Sequence, residues 1–204
     1  MSEDIYGGCR PALERAMESL AARIRAADEA RVAAGGERLY EHLRCRVKDE
    51  ASMREKLIRK GLEPTPANAL RGVRDAVGLR VVCLFIDDVY ETVKLLRSIP
   101  GCTVVEEKDY IRDAKPNGYR SYHMILEVAL DGPDIEGNSP GRCYAEVQLR
   151  TIAMDTWAAL EHELKYKKHI QNPELIAQEL HRCANDLAAC DVSMQTLRQI
   201  IRGL

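Results

Sequence analysis

The beginning of the chain carries apolar residues at helical spacing. They recur in steps of four, three and four, at Leu13, Met17, Leu20 and Ile24. Residues spaced in this way share one face of a helix, and the pattern stops at two adjacent glycines. We therefore predict an amphipathic helix over about 10–34. We also predict a second helical stretch over roughly 37–47, and a third helix that Ser52 caps and Gly61 ends.

The middle of the chain has the patterns of β-strands. Residues 79–86 (LRVVCLFI) are β-branched and apolar after Arg80, as is typical of a buried central strand. Helical spacing returns directly afterwards, with Asp87 or Asp88 as the expected N-cap. Three further strands are predicted at about 103–111, 121–130 and 142–150. This order predicts an α+β fold in which helices flank a mixed sheet with one crossover helix.

Two of these predicted strands alternate between apolar and polar residues, so each should have two distinct faces. In the last strand the apolar face holds Cys143, Ala145, Val147 and Leu149. The opposite face holds Glu146, Gln148 and Arg150. In the strand before it, one face holds His123, Ile125 and Glu127, and the other holds Tyr122, Met124, Leu126 and Val128. A half-solvated sheet produces this pattern routinely, so the alternation predicts orientation and not function.

The C-terminal part of the chain has the longest periodic pattern. Mostly apolar residues alternate steps of four and three at Ile176, Leu180, Cys183, Leu187, Cys190, Met194, Leu197 and Ile201. This is the a/d seam of a heptad pattern, and it predicts a long helix over about 172–202 that needs a partner helix. Two interpretations are open. The seam packs on the N-terminal helices of the same chain, or it forms an interface between subunits.

The composition predicts a globular, cytoplasmic protein. The whole chain, 1–204, has the size of a single domain, and its net charge of −2 gives no general attraction to polyanions. Seven cysteines form no Cys-x-x-Cys pair, which argues against a structural zinc site. An odd number of thiols without a signal peptide favours a reducing compartment. No apolar run approaches the length of a membrane span, so we expect no membrane association.

The segment 44–61 carries an excess of positive charge, in contrast to the slightly negative net charge of the whole chain. Its basic residues are Arg44, Arg46, Lys48, Arg54, Lys56, Arg59 and Lys60, against three acidic ones. In the helix predicted here, Lys56 and Arg59 share a face. Such a segment is either a solvated helix surface or a phosphate-binding site, because arginine and lysine supply the donors that an anion needs.

Two carboxylates could meet on the predicted sheet. Asp75 directly precedes the buried strand, and Glu146 lies on the polar face of the last strand. In one interpretation Asp75 forms a structural ion pair with Arg80, whose charge is costly in an apolar strand. In the other, Asp75 and Glu146 share Mg²⁺, a hard cation that prefers oxygen ligands. The sequence lacks Gly-x-x-x-x-Gly-Lys-Ser/Thr, so any nucleotide site is not of the P-loop kind.

A turn rich in aromatic and basic residues lies at 114–123 (AKPNGYRSYH). Pro-Asn-Gly is typical of a turn, because these residues suit its backbone angles. Tyr119 could stack on a base from this rigid position, and Lys115, Arg120 and His123 could reach phosphates. The other interpretation is a plain hairpin with ordinary amphipathic strand residues.

Four segments together resemble the synthetase domain of RelA/SpoT homologues, in particular the small single-domain alarmone synthetases. They are RVKDEASMREKLIRKG, DAVGLRVVCLFIDDVY, KDYIRDAKPNGYRSYH and EVQLRTIAMDTWAALEHELKYK, in the family order, within a core of about 38–168. The resemblance implies a nucleotidyltransferase-like mixed sheet with helical N- and C-terminal extensions. It also implies transfer of the β,γ-pyrophosphate of ATP to the 3′-hydroxyl of GDP or GTP, with GMP as a further candidate, in stringent-response signalling.

The resemblance assigns roles to residues on the donor side. Arg46 and Arg80 would sandwich the adenine of ATP. The ATP phosphates would contact Lys48, Ser52, Lys56 and Arg59. Asp75 and Glu146 would hold Mg²⁺, and Glu146 would also be the general base for the acceptor hydroxyl.

On the acceptor side, the resemblance implies that guanine stacks on Tyr119. The acceptor phosphates would contact Lys108, Lys115 and His123. Asp155 and Glu161 would read the guanine edge, because a carboxylate can accept from guanine N1–H and N2–H₂, and adenine lacks that donor pair. Residues 106–109 mix the two patterns of the long bifunctional members, so the preference for GDP or GTP stays open.

The partners implied by the resemblance are ATP, GDP or GTP, and further copies of the same chain, with a homotetramer expected. Activation by pppGpp is not expected, because His42 lies where an aromatic residue supports it in some members. Two alternatives stay open. One is a toxin-like relative that pyrophosphorylates tRNA or makes an adenosine alarmone. The other is a non-catalytic RNA-binding oligomer, although RNA binding is not specifically indicated.

Overall fold

The structure, a computed structural model, describes residues 4–165 and 172–203. The helices within these ranges are α1 (Arg10–Ala33), α2 (Glu50–Arg59), α3 (Ile86–Ser98), α4 (Ile152–Lys165) and α5 (Pro173–Arg202). The strands are β1 (His42–Val47), β2 (Val77–Cys83), β3 (Cys102–Asp109), β4 (Tyr122–Ala129) and β5 (Arg142–Thr151). A π-helical turn, Asn68–Gly72, precedes β2. This is the predicted α+β fold, with helices at both ends.

The strands form one mixed sheet in the order β1-β2-β5-β4-β3. β2 and β5 run parallel, and the other neighbouring pairs are antiparallel. The crossover helix is α3, which carries the chain from β2 to the far edge of the sheet at β3. The chain then returns through β4, and β5 is inserted between β4 and β2. Residues that are far apart in the sequence therefore meet at the centre of the sheet.

The sheet has one buried face and one open face. Helices α1 and α3 pack on the buried face, which contributes fully enclosed side chains such as Val81, Met124, Leu126 and Val147. The open face carries the polar side chains of the same strands, and α2 and α4 contribute residues to its borders. The alternation predicted for the last two strands is confirmed, because the apolar positions of β4 and β5 are buried and most of the intervening ones are partly exposed.

The helical stretch predicted over 37–47 is wrong. The structure has β1 there, an edge strand paired antiparallel with β2. Leu43, Cys45 and Val47 pack against the core, while Arg44 and Arg46 are exposed. A period of two is the signal of a half-buried strand, and hydrogen bonding to β2 stabilises the extended backbone over a helix.

Two predicted helix caps are also wrong. α2 begins after Asp49, whose carboxylate accepts a hydrogen bond from the Ser52 N–H at 2.9 Å, so Ser52 lies inside the first turn. α3 begins after Phe85. Asp87 and Asp88 therefore lie in the first turn of α3, where negative charge complements the helix dipole, and their side chains bind residues of α5.

The other element boundaries lie close to the predicted ones. The strand predicted at 79–86 is β2 at Val77–Cys83, and it ends earlier because α3 begins at Ile86. The strands predicted near 103–111, 121–130 and 142–150 correspond to β3, β4 and β5. The predicted end of the core at 168 lies outside the described residues.

Helix α5 packs on α4 and α3 through a face that is offset from the predicted seam. The buried residues of α5 are Ala184, Asp191 and Gln195. Leu187, a seam residue, is partly buried against the same chain. The seam residues nearest the C-terminus are exposed: Met194, Leu197 and Ile201, the last at 85%. Packing within the chain thus accounts for only part of the apolar seam.

Within the described residues, no helix combines the length and the apolar character needed to cross a bilayer.

Arg198 links α5 to α3 and supplies a test of this docking. Its guanidinium donates to the buried Asp88 at 2.6 Å and to the exposed Glu37 at 2.6 Å. Arg198→Met would leave the Asp88 carboxylate buried without its cation, and we expect the free energy of unfolding to fall by about 3 kcal/mol. Because burial raises the pKa of Asp88, lowering the pH protonates this carboxylate and should recover part of the loss.

Arg202→Met is the matched control for this prediction. Arg202 bonds to the exposed Glu37, and loss of an exposed pair should cost much less than loss of the buried pair. Urea unfolding of both variants, at neutral and at mildly acidic pH, measures the difference. Equal losses in the two variants would contradict the account of α5 docking.

Candidate active site

Two adjoining clefts lie on the open face of the sheet. The larger has a volume of about 720 Å³ and includes residues of β1, β2, α2 and the turn before β4. The smaller has a volume of about 470 Å³ and includes residues of β3, β4 and the π-helical turn. Both clefts are lined by the same central group: Lys56, Asp75, Lys115, His123 and Glu146. Two ligands, one in each cleft, would therefore meet at these residues.

Asp75 lies two residues before β2, in the wall that the two clefts share, and is 8% exposed. Its Oδ2 binds the ammonium groups of Lys48 and Lys56, the latter at 2.5 Å. Burial lowers the pKa of Lys48, and the contact with Asp75 opposes that shift. The other carboxylate oxygen, Oδ1, is buried and has no hydrogen-bond partner among the described residues. A buried acceptor without a donor is unfavourable, so this oxygen is suited to bind a cation.

Glu146 projects from β5 beside Gly78 of β2. Its Oε1 lies 3.4 Å from His123 Nδ1, and its Oε2 accepts from Gln148 Nε2 at 2.8 Å. Burial alone would raise the pKa of Glu146. The hydrogen bond and charge of His123, the hydrogen bond from Gln148 and the charge of Lys56 outweigh burial and hold this pKa at about 2. Glu146 is therefore ionised throughout the neutral range.

The two carboxylates fit Mg²⁺ that is bound together with a nucleotide. Asp75 offers an oxygen without a partner, and Glu146 is ionised at the same junction. Within the described residues, no group of three or more His, Cys, Asp or Glu side chains could enclose a metal ion. Mg²⁺ is commonly held by one or two carboxylates, with phosphate oxygens and water as its other ligands. The donor set therefore suits a site that a substrate completes.

The larger cleft has a cationic wall. Arg80 of β2 lies opposite Arg44 of β1 in the antiparallel pairing, and Arg46 lies two positions further along β1, on the same face. The basic residues that line this cleft include three of the predicted phosphate contacts: Lys48, Lys56 and Arg59. Ser52, also predicted, is exposed in the first turn of α2 and is not among the described residues that line either cleft.

The turn before β4 holds Tyr119 in a defined position. Gly118 has a φ of 90°, and a Cβ at this position would lie 2.5 Å from the methyl group of Ala184 in α5. Only glycine suits both the backbone angle and this close approach. The Tyr119 hydroxyl lies 2.7 Å from Arg150 Nη2 and 2.7 Å from His123 Nε2. The tyrosine is therefore fixed at its backbone and at its hydroxyl group.

The ring of Tyr119 is partly exposed, and Lys115 covers it. The Lys115 ammonium lies 4.9 Å from the centroid of this ring and 4.5 Å from that of Tyr110. Trp157 meets the Tyr119 ring edge-to-face at 6.3 Å between centroids. Lys115 has an exposed side chain, so a flat ligand could displace it from the ring. Lys108, the other predicted lysine on this side, lines the smaller cleft.

The two carboxylates predicted to read guanine have different partners. Asp155 binds Arg80 at 3.3 Å and Arg150 at 3.0 Å, so the alternative ion pair between Asp75 and Arg80 is not formed. Glu161 accepts from the side-chain amide of Asn117 at 2.9 Å. Neither carboxylate is among the described residues that line the two clefts. Both carboxylates are thus engaged by other side chains, Asp155 by two arginines and Glu161 by Asn117 of the Tyr119 turn.

Sequence reasoning missed three residues of this region. Gln148 and His162 line the larger cleft, and Arg150 is buried against the Tyr119 ring, with its guanidinium carbon 5.2 Å from the ring centroid. The alternation along β5 placed Gln148 and Arg150 on the polar face but gave no sign that Arg150 is buried there. The strand register sets Gln148 between β2 and β4 residues.

Comparison with protein families and curated proteins gives concordant results. A family model described as “Region found in RelA / SpoT proteins” matches residues 45–171. The GTP pyrophosphokinase YwaC of Bacillus subtilis (strain 168) is 38% identical over 164 residues, which cover 80% of this chain and 76% of that protein.

Solved structures share this fold over nearly the whole chain. Small alarmone synthetase 1 from Bacillus subtilis, bound to its product pppGpp, has a TM-score of 0.81 and 30% identity, covering 95% of this chain and 96% of that chain. The same synthetase bound to AMPCPP has a TM-score of 0.74 and 26% identity, covering 95% of each chain. The similarity therefore includes the helices at both ends.

Proposed function

The chain belongs to the RelA/SpoT family, and we propose that it is a small alarmone synthetase that transfers the β,γ-pyrophosphate of ATP to the 3′-hydroxyl of GDP or GTP. The products are guanosine 3′-pyrophosphate alarmones, the signals of the stringent response. The GTP pyrophosphokinase name of YwaC and the pppGpp product in small alarmone synthetase 1 support this reaction. AMPCPP, an ATP analogue, supports an adenine nucleotide as the donor.

One observation carries the proposal: the two clefts meet at a pair of carboxylates. We place ATP in the larger cleft, with its adenine between Arg46 and Arg80 and its phosphates on the basic residues of α2. The acceptor enters the smaller cleft, so that its 3′-hydroxyl reaches Glu146. Bringing two polyanions together requires cations, and the lining residues supply them on both sides. Holding the two substrates in register provides much of the remaining acceleration.

The proposed reaction forms a bond between the acceptor 3′-oxygen and the β-phosphorus of ATP. The bond from that phosphorus to the oxygen bridging the α-phosphorus breaks, and AMP leaves. The hydroxyl proton passes to Glu146. A carboxylate with a pKa of about 2 is a weak base. Such a base is sufficient for a loose transition state, in which positioning and charge stabilisation contribute more than proton removal.

The cofactor that we propose is Mg²⁺, with Asp75 and Glu146 as its protein ligands. When bound, it would neutralise charge on the phosphate oxygens. Lys48 and Lys56 already lie on Asp75, and these lysines would turn to the ATP phosphates as the nucleotide enters. Arg59, further along α2, would contact the outer phosphate. The chain's own cations thus exchange a carboxylate partner for a phosphate partner.

Acceptor recognition is proposed to depend on the turn before β4. Guanine would stack on Tyr119 after Lys115 moves from the ring to the acceptor phosphates, which Lys108 would also contact. The two ring nitrogens of His123 lie beside the Tyr119 hydroxyl and Glu146, so His123 would contact these phosphates only by exchanging one of these partners. To read the guanine edge, Asp155 and Glu161 would have to exchange their present partners for guanine N–H groups. This exchange would make guanine selection dependent on closure of the site around the acceptor.

Product analysis tests the reaction and its alternatives. Purified protein is incubated with γ-labelled ATP, Mg²⁺ and one acceptor at a time, chosen from GDP, GTP, GMP, ATP and tRNA. We expect AMP and a labelled guanosine 3′-pyrophosphate. Label transferred to tRNA or to an adenosine nucleotide would establish the toxin-like alternative instead. Absence of transfer to every acceptor would contradict the proposal and favour a non-catalytic role.

We also propose that the chain forms a homo-oligomer, a tetramer by family resemblance, through the exposed part of α5. Met194, Leu197, Ile200 and Ile201 are exposed near its C-terminus. Apolar side chains clustered in this way are unfavourable in water. A second copy of the chain offers the same heptad seam, which suits helix-to-helix packing.

A cytoplasmic location is proposed because all seven cysteines, which lie within the described residues, are free thiols.

Glu146→Gln tests the proposed catalytic carboxylate. Glutamine keeps the shape of the side chain but removes its charge, so we expect kcat to fall about 10²–10⁴-fold while the melting temperature stays close to that of the unaltered protein. Glu127→Gln is the matched control, because Glu127 lies on the same sheet face but outside the two clefts and bonds to Arg142. Turnover near that of the unaltered protein in Glu146→Gln would show that the assignment is wrong.

Tyr119→Leu tests the proposed guanine platform. Loss of stacking should raise the acceptor KM about tenfold to a hundredfold and leave the KM for ATP unchanged. The same change removes the hydroxyl partner of the buried Arg150, so the melting temperature should also fall. Tyr90→Leu is the control, because Tyr90 also packs and hydrogen-bonds but lies on α3. A destabilised Tyr119→Leu protein with unaltered acceptor affinity would favour a plain structural turn.

Leu197→Glu tests the oligomer. A charge in the exposed seam should dissociate the assembly to smaller species, as measured by light scattering, without loss of helix content. Gln199→Glu adds the same charge at an exposed position outside the seam and should leave the assembly intact. A monomeric unaltered chain, or an assembly that Leu197→Glu does not change, would refute the proposed interface.

A further inference from the structure

A closed circuit of four hydrogen bonds and one longer contact joins Glu146 to Tyr119. Arg150 Nη2 lies 2.7 Å from the Tyr119 hydroxyl and 2.9 Å from Gln148 Oε1. The Tyr119 hydroxyl in turn lies 2.7 Å from His123 Nε2, and Gln148 Nε2 lies 2.8 Å from Glu146 Oε2. His123 Nδ1 lies 3.4 Å from Glu146 Oε1 and closes the circuit.

The chemistry of Arg150 fixes the direction of the two hydrogen bonds that it makes to Tyr119 and Gln148. An arginine nitrogen can only donate, so the Tyr119 oxygen and Gln148 Oε1 both accept from it. The direction of the Tyr119–His123 hydrogen bond depends on the His123 tautomer: with its hydrogen on Nδ1, facing Glu146, His123 accepts the Tyr119 hydroxyl hydrogen at Nε2. Gln148 donates through its amide nitrogen. Two arms therefore start at one cation and end on the two different oxygens of the Glu146 carboxylate.

We propose that Arg150 is a positioning residue, an inference that rests on the proposed function. Through these two arms it orients the Glu146 carboxylate relative to the Tyr119 ring. Arg150 is not among the described residues that line either cleft, so we expect it to touch neither substrate. It acts through Gln148 on one side and through Tyr119 and His123 on the other. The surface on which guanine stacks and the carboxylate that receives the hydroxyl proton are thereby parts of one rigid unit.

The surroundings of Arg150 suit this role better than a packing role. The residue is 4% exposed, and its Nη1 donates to Asp155 at 3.0 Å. A buried guanidinium is costly to retain, and an apolar residue would fill the same space at lower cost. The planar group, by contrast, offers hydrogens in fixed directions to three acceptors at once, on Asp155, Tyr119 and Gln148. Lysine carries the same charge but lacks this geometry.

Three variants test whether Arg150 acts by positioning the Glu146 carboxylate, and not through protein stability or the stacking of guanine on Tyr119. Tyr119→Phe keeps the ring but breaks one arm, Gln148→Met breaks the other arm, and Arg150→Lys keeps the charge but loses the planar group. We expect each to lower kcat about tenfold to a hundredfold, as for residues that orient metal ligands. The acceptor KM and the dissociation constant for GDP, titrated without Mg²⁺, should not change in Tyr119→Phe. Arg142→Lys, on the same strand and bonded to Glu127, is the control.

Double variants test whether the residues act as one unit. If Arg150 acts through Tyr119, the combination of Arg150→Lys with Tyr119→Phe should cost less than the two single losses in kcat taken together. A fall in melting temperature with unchanged kcat would show a structural role only. Additive losses, or unaltered kcat in Tyr119→Phe, would overturn the proposal. Tyr119→Phe removes one oxygen atom, so it remains informative if Arg150→Lys fails to fold.

The tautomer of His123 provides a readout that does not depend on activity. Nitrogen NMR of the unaltered protein, at a pH where the ring is neutral, should show hydrogen on Nδ1 and none on Nε2. In Tyr119→Phe this preference should weaken. Hydrogen on Nε2 in the unaltered protein would overturn the circuit. Absence of alarmone synthesis by the unaltered chain would contradict the proposed function, while the NMR result would still decide on the circuit.

Discussion

The parallel pairing of β2 with β5 is the constraint on which the site depends. It sets Gly78 opposite Glu146, so the residue facing the carboxylate carries no side chain, and Asp75 lies just before the same strand. On the other side of β5, the antiparallel pairing with β4 sets His123 opposite Gln148. A shift of one residue in either pairing would turn these polar groups into the core. The apolar alternation that builds the core therefore also fixes the geometry of the site.

The charges of the site are compensated before any substrate binds. Asp75 is held by two lysines, and Asp155 lies between two arginines. Burying an unpaired charge would cost several kcal/mol of folding free energy. Because these charges are paired, a chain with a net charge of −2 can carry a cationic site in a stable fold. In the proposed reaction the lysines exchange Asp75 for phosphate, which leaves Asp75 to bind a cation. Substrate binding is then an exchange of partners, and no new unpaired charge is buried.

Sequence reasoning predicted the parts of this structure that local patterns determine. The alternation along β4 and β5, the apolar run of β2 and the periodicity of the terminal helices all gave elements close to the observed ones. The strand at 42–47 was missed because pairing with β2, a distant segment of the chain, decides its conformation. The burial of Arg150 and the separate partners of Asp155 and Glu161 depend on contacts between distant segments. No local pattern contains that information.

The central claim is that two nucleotides meet at the carboxylates shared by the two clefts. A crystal structure with AMPCPP, Mg²⁺ and GDP bound together measures this directly. The account predicts the acceptor 3′-oxygen within about 3–3.5 Å of both the AMPCPP β-phosphorus and the Glu146 carboxylate, with guanine stacked on Tyr119. A 3′-oxygen bound far from Glu146, or both nucleotides bound outside the two clefts, would contradict the account.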